Sequence, residues 1–274
     1  MPFTLSHPAA VLPLLRRAGA HGPLVASGLV AGSMAPDVPF FADSLLPGLY
    51  GHGGLTHRWW AAATVDVAIA GALVGGWHGW LRGPLVALLP PRWAAAAEGM
   101  TAASGKDRGA RRALWFAASA AVGAATHLGW DSFTHEGRAG VTLLPVLGER
   151  VAGLPLYTVL QYGSSALALG CLARYTVREA RRAEPVRPSF ELPGGLRAAG
   201  LAVLGAAGAA GVAHRLARGE RGLIAEVCFG AGAGLTVGAV AYATAARLWQ
   251  RRAARGDTGR AGFAGAEQAE HVAV

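Results

Sequence analysis

An all-α, membrane-embedded helical bundle is the fold class that this 274-residue sequence predicts. Three observations lead there. Only 15% of residues are charged while 53% are hydrophobic, with a mean hydropathy of +0.34; soluble domains carry about 25% charged residues. Five apolar runs approach the roughly 20 residues that a helix needs to cross the hydrocarbon core. The arginines and the single lysine fall in clusters between those runs. The composition excludes a disordered chain. Two cysteines exclude a disulfide scaffold, and the long apolar runs argue against an ordinary soluble enzyme. The net charge of +9 does not indicate a nucleic-acid partner, because short basic clusters between apolar runs set membrane orientation rather than contact phosphates.

Taken in order, the chain opens with two short apolar arms, 5–15 and 23–34. The first contains Pro8 and Pro13, and Arg16 and Arg17 separate the two. Neither arm is long enough to span. They predict a short N-terminal helical hairpin that enters the bilayer part-way or is buried against other helices. A cleaved signal peptide is not expected, since no basic residue precedes the run and prolines interrupt it. The predicted full spans are 61–81, 113–130, 153–173, 196–213 and 223–246, rich in the small residues that let helices pack closely in lipid. Trp59, Trp60 and Trp80 bracket the first, and Trp115 and Trp130 the second, as an interfacial belt does. Residues 1–246 thus read as one membrane-embedded domain, and 247–274 as a disordered tail rich in Arg, Gly and Ala.

Counting Lys and Arg orients these spans in the cell membrane. Loop 82–112 carries Arg82, Arg92, Lys106, Arg108, Arg111 and Arg112; loop 174–197 carries Arg174, Arg178, Arg181, Arg182, Arg187 and Arg197. Segment 33–60 has only Arg58, 131–152 has Arg138 and Arg150, and 214–222 has Arg215, Arg218 and Arg221. The alternation puts the basic loops and the C-terminus in the cytoplasm.

The same topology brings His7, Asp37, His57, His127, Asp131 and His135 to one level near the outer face, all within 1–151. His127 and Asp131 are one helical turn apart, so both side chains share a face and suit one metal ion. His135 lies a further turn along; it suits a second ion, or the same one if the helix ends near Ser132. Thr56 reads as the N-cap of the first span, with His57 in its first turn, where the helix dipole favours the neutral, metal-binding imidazole. Asp37 lies between Pro36 and Pro39, and the restriction on residues preceding proline predicts extended backbone at Ala35 and Val38. Mixed imidazole and carboxylate donors fit zinc, manganese or iron, and both cysteines sit inside apolar spans. Outside this group, Asp66 reads as making a packing hydrogen bond within the first span, and Glu226 as a hydrated residue near a helix start.

The opening Met1-Pro2-Phe3-Thr4-Leu5-Ser6-His7-Pro8, the Gly32-Ser33-Met34-Ala35-Pro36-Asp37 turn, Thr56-His57 and His127-x-x-x-Asp131 together resemble an uncharacterised family of bacterial multi-pass membrane proteins. That family is similar to the YdjM-like predicted membrane-bound metal-dependent hydrolases, and the His-x-x-x-Asp element resembles one in zinc-dependent phospholipase C. The resemblance implies a divalent metal, zinc or manganese, with His7, Asp37, His57, His127, Asp131 and His135 as ligands. Arg58-Trp59-Trp60 after His57 departs from the histidine-rich pattern of the hydrolases. The function expected is hydrolysis of a phosphoester or lipid-linked substrate at the outer face, with Asp37 or Asp131 taking the proton of an activated water. The alternative is a transporter or assembly factor using the cluster as a cation or proton site.

Overall fold

The computed structural model describes residues 3–16, 19–102, 109–219 and 222–272, with side chains as far as Ala253. Arg17, Lys106, Arg108 and Arg221 of the charge pattern lie outside the described residues.

Helix dominates. Thr4–Leu14 is a 3-10 helix carrying Pro8 and Pro13, whose missing amide donors weigh against a regular α-helix. Strands β1 (Leu15–Arg16) and β2 (Gly19–Ala20) pair antiparallel and reverse the chain. Helix α1 (Ala26–Met34) then runs back beside the first arm. The N-terminal hairpin therefore has one 3-10 arm, one α arm and a minimal ladder at its turn.

A 3-10 turn at Ala35–Asp37 leads into the short helices α2 (Val38–Ala42) and α3 (Gly53–Thr56). The extended backbone expected at Ala35 and Val38 is not found: both residues are helical, with φ near −55° and ψ −41°. Pro36 and Pro39 instead occupy the first turns of these elements, where a proline displaces no needed donor.

The expected span 61–81 is interrupted. A 3-10 turn (Ala61–Ala63) is followed by Thr64 at φ −132° and ψ −86°, then α4 (Val65–Gly76), a π-helical turn (Trp77–Leu81) and α5 (Arg82–Val86). Helix α6 (Pro91–Thr101) precedes α7 (Ala110–Thr134), which contains the expected span 113–130. Helix α8 (Ala139–Leu143) and the paired strands β3 (Arg150–Val151) and β4 (Leu154–Pro155) lead to α9 (Leu156–Arg182), α10 (Gly194–Arg218) and α11 (Leu223–Val272). Gly219, at φ +61°, ends α10 in the left-handed conformation that glycine adopts without strain. Helical backbone continues from α11 into the 247–274 segment, as far as Val272.

Among the described residues, three helices are long and apolar enough to cross a membrane: Leu156–Arg182, Gly194–Arg218 and Leu223–Ala253. Leu167, Leu201 and Ile224 on them point outward and are mostly exposed, the disposition of side chains that meet lipid. Helix α7 is apolar on one face only. It buries Ser119, Gly123, His127 and Asp131, and polar side chains on its inner face lower its apolar character.

The α1–α7 crossing positions the site. A Cβ on Gly32 would stand 2.1 Å from the Ala120 carbonyl oxygen, and one on Gly123 would stand 2.2 Å from that of Leu29. Backbones approach this closely only when glycine faces them. Ser119, wholly buried on α7, accepts a hydrogen bond from the Val25 amide at 2.8 Å and so satisfies an orphan donor at the start of α1. A second glycine seam, Gly211 against Gly230 and Gly234, holds α10 to α11. Ala31, Ala35, Ala70 and Ala120 fill the core between α1, α4 and α7.

Candidate metal centre

The centre is assembled from four segments. Helix α7 supplies His127 and Asp131, one turn apart and facing inward. The 3-10 turn after α1 supplies Asp37, the residue after α3 supplies His57, and the first arm supplies His7. All five are buried.

Both carboxylates lie against the imidazoles. Asp37 Oδ1 is 3.5 Å from His57 Nε2 and from His127 Nε2. Asp131 Oδ2 is 3.4 Å from His57 Nε2 and 3.5 Å from His127 Nε2. Asp131 Oδ1 faces His7 Nε2 at 3.5 Å and His135 Nδ1 at 3.6 Å. Two overlapping groups, His7 with His127 and Asp131, and Asp37 with His57 and His127, have donor atoms all within 4.8 Å of one another. Either group can hold a metal ion.

Hydrogen bonds from behind fix which ring nitrogens face inward. His127 Nδ1 lies 2.8 Å from the Ser33 carbonyl, and His57 Nδ1 lies 2.8 Å from the Gly53 carbonyl. A carbonyl only accepts, so each Nδ1 carries the proton and each Nε2 presents a lone pair to the centre. Asp37 Oδ2 accepts from Thr4 Oγ1 at 2.5 Å, which leaves Oδ1 pointing inward. The His7 ring stacks on His127 at 3.6 Å and meets the edge of Trp130 at 5.4 Å. Among the described residues, both ring nitrogens of His7, Nε2 of His127, Oδ1 of Asp37 and Oδ1 of Asp131 have no hydrogen-bond partner. Buried polar atoms are normally satisfied, and leaving one unpaired costs about 1–3 kcal/mol. Several such atoms converge here in an arrangement that could hold an ion.

Burial alone would raise the pKa of Asp37, yet the His127 and His57 imidazoles beside it hold it below the usual carboxylate range. Burial would lower that of His57, but the Asp131 and Asp37 carboxylates beside it raise it. Burial pulls His135 down to about 4, which keeps its imidazole neutral.

Several sequence expectations change here. Thr56 does not cap a spanning helix; it ends α3, and its hydroxyl donates to the Pro36 carbonyl at 2.6 Å. His57 follows that helix end, so its tautomer is set by the Gly53 carbonyl and not by a helix dipole. Helix α7 continues through Ser132 to Thr134, leaving His135 at its C-cap with the side chain 19% exposed. His52 is exposed. Trp130 is not purely interfacial: its indole N–H donates to Ser164 of α9 at 3.0 Å while its ring packs on His7. Asp66 is fully buried, but neither carboxylate oxygen has a hydrogen-bond partner among the described residues, contrary to the expected packing bond.

Sequence reading missed the supporting contacts. The carbonyls of Ser33 and Gly53 carry no signature, because backbone acceptors are anonymous in sequence; Thr4 stands in the opening motif, but nothing in sequence pairs it with Asp37, nor Ser165 with the Phe3 amide, from which it accepts at 3.1 Å. It also missed a buried ion network beneath the centre. Arg215 is fully buried and reaches Glu226 at 2.6 Å and Asp43 at 2.8 Å; Arg218 also reaches Asp43, at 3.2 Å. Glu226, expected to be hydrated, is buried in this network. The network ties the α10–α11 hairpin to the loop before α3, and Phe40, between Phe229 and the His57 ring, continues the link.

Replacing Thr4 by valine keeps the side-chain volume and removes the hydroxyl from Asp37. We expect a 10–100-fold weaker metal affinity, the usual cost of losing a ligand-orienting hydrogen bond. Competition titration of zinc against a chromogenic chelator measures it, and unchanged affinity would refute the orienting role.

The fold and this centre together define a mostly helical protein with membrane-type helices and a buried His/Asp cluster that can hold metal. The chain belongs to the family described as domain of unknown function (DUF4184), whose model matches residues 1–244. No curated protein and no solved structure matches it.

Proposed function

We propose that this protein is a multi-pass, membrane-bound, metal-dependent hydrolase whose centre lies at the outer face of the cell membrane. The single observation that carries the reading is the convergence of unpartnered, buried imidazole and carboxylate atoms whose tautomers are already set for ligation. His7, Asp37, His57, His127, Asp131 and His135 are the proposed metal ligands. Donor chemistry supports a borderline ion, zinc or manganese, over calcium or a sulfur-ligated metal.

A divalent ion bound there supplies Lewis acidity and lowers the pKa of water toward neutrality. The chain's own contribution is to hold the donors rigidly, exclude bulk water from Asp37 and His127, and offer Asp37 or Asp131 as the proton acceptor. The substrate proposed is a phosphoester or lipid-linked molecule, because the orientation from the basic loops puts the centre near the outer headgroups. Beside the three apolar helices, α4 with its π-helical turn and α7 complete the five spans proposed, with the C-terminus in the cytoplasm. The likeness to YdjM-like hydrolases, carried by Thr56-His57 and His127-x-x-x-Asp131, supports the same class.

Asp66, on the adjoining helix α4, favours a second reading, a cation or proton carrier, since it is a buried carboxylate without a hydrogen-bond partner among the described residues. Metal analysis of purified full-length protein beside His127→Ala and Asp131→Ala tests the first reading. Zinc or manganese in the wild type and at least tenfold less in both variants is the expected result. Equal, near-zero metal in all three would remove it. Phosphodiesterase activity that is lost with the metal separates hydrolase from carrier.

A further inference from the structure

We infer that two neighbouring serines of α9, Ser164 and Ser165, are positioning residues for His7; the inference rests on the metal-centre reading above. His7 forms with His127 and Asp131 one of the two groups that can hold an ion. It differs from its partners in how it is held. His57 and His127 each engage a carbonyl through Nδ1 at 2.8 Å, which fixes both the tautomer and the orientation of the ring. Neither ring nitrogen of His7 has a hydrogen-bond partner among the described residues. Other contacts must therefore aim this wholly buried imidazole, whose Nε2 stands 3.5 Å from Asp131 Oδ1.

Two sets of contacts do so, and both end on α9. The first acts on the backbone. Ser165 Oγ accepts from the Phe3 amide at 3.1 Å and from the Ser6 hydroxyl at 3.4 Å. It thus grips the first arm at the residue before His7 and again one 3-10 turn earlier, where the Ser6 amide closes onto the Phe3 carbonyl. The second set acts on the ring. His7 stacks on His127 at 3.6 Å and meets Trp130 edge-on at 5.4 Å. Trp130 is held in turn by its indole N–H, which donates to Ser164 Oγ at 3.0 Å. Helix α9 exposes Leu160 and Leu167 and buries Gln161, Ser165 and Ala168, so its polar face is turned inward. Hydroxyls on an apolar helix hydrogen-bond across to other segments, and the recipients here are the arm that carries His7 and the indole that packs on it. The serine pair does for His7 what backbone carbonyls do for His57 and His127.

Zinc affinity of the full-length protein in detergent, read by competition with a chelator, tests the role. Ser164→Ala combined with Ser165→Ala is expected to weaken binding about tenfold, the lower end of the cost of losing a ligand-orienting contact. In a His7→Gln background the same two changes are expected to have no further effect, because the residue through which they act is gone. Equal losses in both backgrounds would show that the serines only hold the fold together, and would overturn the inference; so would unchanged affinity in the serine variant. The visible absorption of cobalt-loaded protein gives a second readout, since it follows the number and geometry of the ligands. The serine variant is expected to shift toward the His7→Gln spectrum, and a spectrum identical to wild type overturns the inference. Each of these failures leaves metal binding by the wild type intact, whereas a wild type that takes up neither zinc nor cobalt would overturn the metal-centre reading as well.

Discussion

Replacing Gly123 by valine is expected to be the most damaging single change outside the ligands. A Cβ there stands 2.2 Å from the Leu29 carbonyl oxygen and 2.7 Å from the Ser33 amide nitrogen. Both obstacles are backbone, so no side-chain rotation relieves the clash, and α1 must move away from α7. Forcing atoms into a packed interface costs about 1–3 kcal/mol where neighbours can adjust. Here they cannot, and we expect at least about 3 kcal/mol. The same displacement carries the Ser33 carbonyl away from His127 Nδ1, so surviving protein should bind metal weakly. Thermal unfolding in detergent and zinc titration read the two effects. A control, Gly163→Ala on α9, has nothing within 4 Å of the added carbon and should leave both unchanged.

The second large effect is expected at Arg215. Its guanidinium bonds Asp43 and Glu226 with all three side chains buried. Arg215→Met leaves two carboxylates buried without their shared cation. Removing one partner of such a network typically costs about 3–5 kcal/mol, whereas replacing every member with apolar groups of similar size is often neutral. The double variant Arg215→Met, Glu226→Leu, which leaves Asp43 bound to Arg218 and to the Gly48 and Tyr50 amides, should therefore recover much of the stability lost in the single variant. Denaturation midpoints in detergent check this, and a double variant less stable than the single one would contradict it. Arg215 holds the hairpin of α10 and α11 against the segment that leads to His57, so the single variant should also lower metal affinity.

Membrane character was legible from composition and apolar run length, because burying a helix in lipid requires a run of residues and a run is a local property. Of the last three expected spans, 196–213 and 223–246 lie within observed apolar helices, and 153–173 coincides with a third from Leu156 onward, its first residues forming the β3–β4 turn. The first two did not emerge as simple spans. Thr64 interrupts one, and the other, α7, has a polar inner face that serves the centre. The candidate residues stood out because ionisable groups among apolar runs are costly and therefore few. Their spacing gave only the pair on one helix, His127 and Asp131.

What the sequence determined by itself was the helical class, its apolar surface and a short list of histidines and aspartates near one end of the helices. Only the tertiary structure decided which atoms of those residues meet, that carbonyls from Ser33 and Gly53 set the tautomers, and that the two oxygens of Asp131 face opposite ways. The reason is physical. Hydrophobic pattern is encoded residue by residue along the chain, whereas a metal centre is defined by distances between atoms far apart in sequence. Those distances are fixed by close approaches, glycine to backbone between α1 and α7 above all, that no local pattern reports.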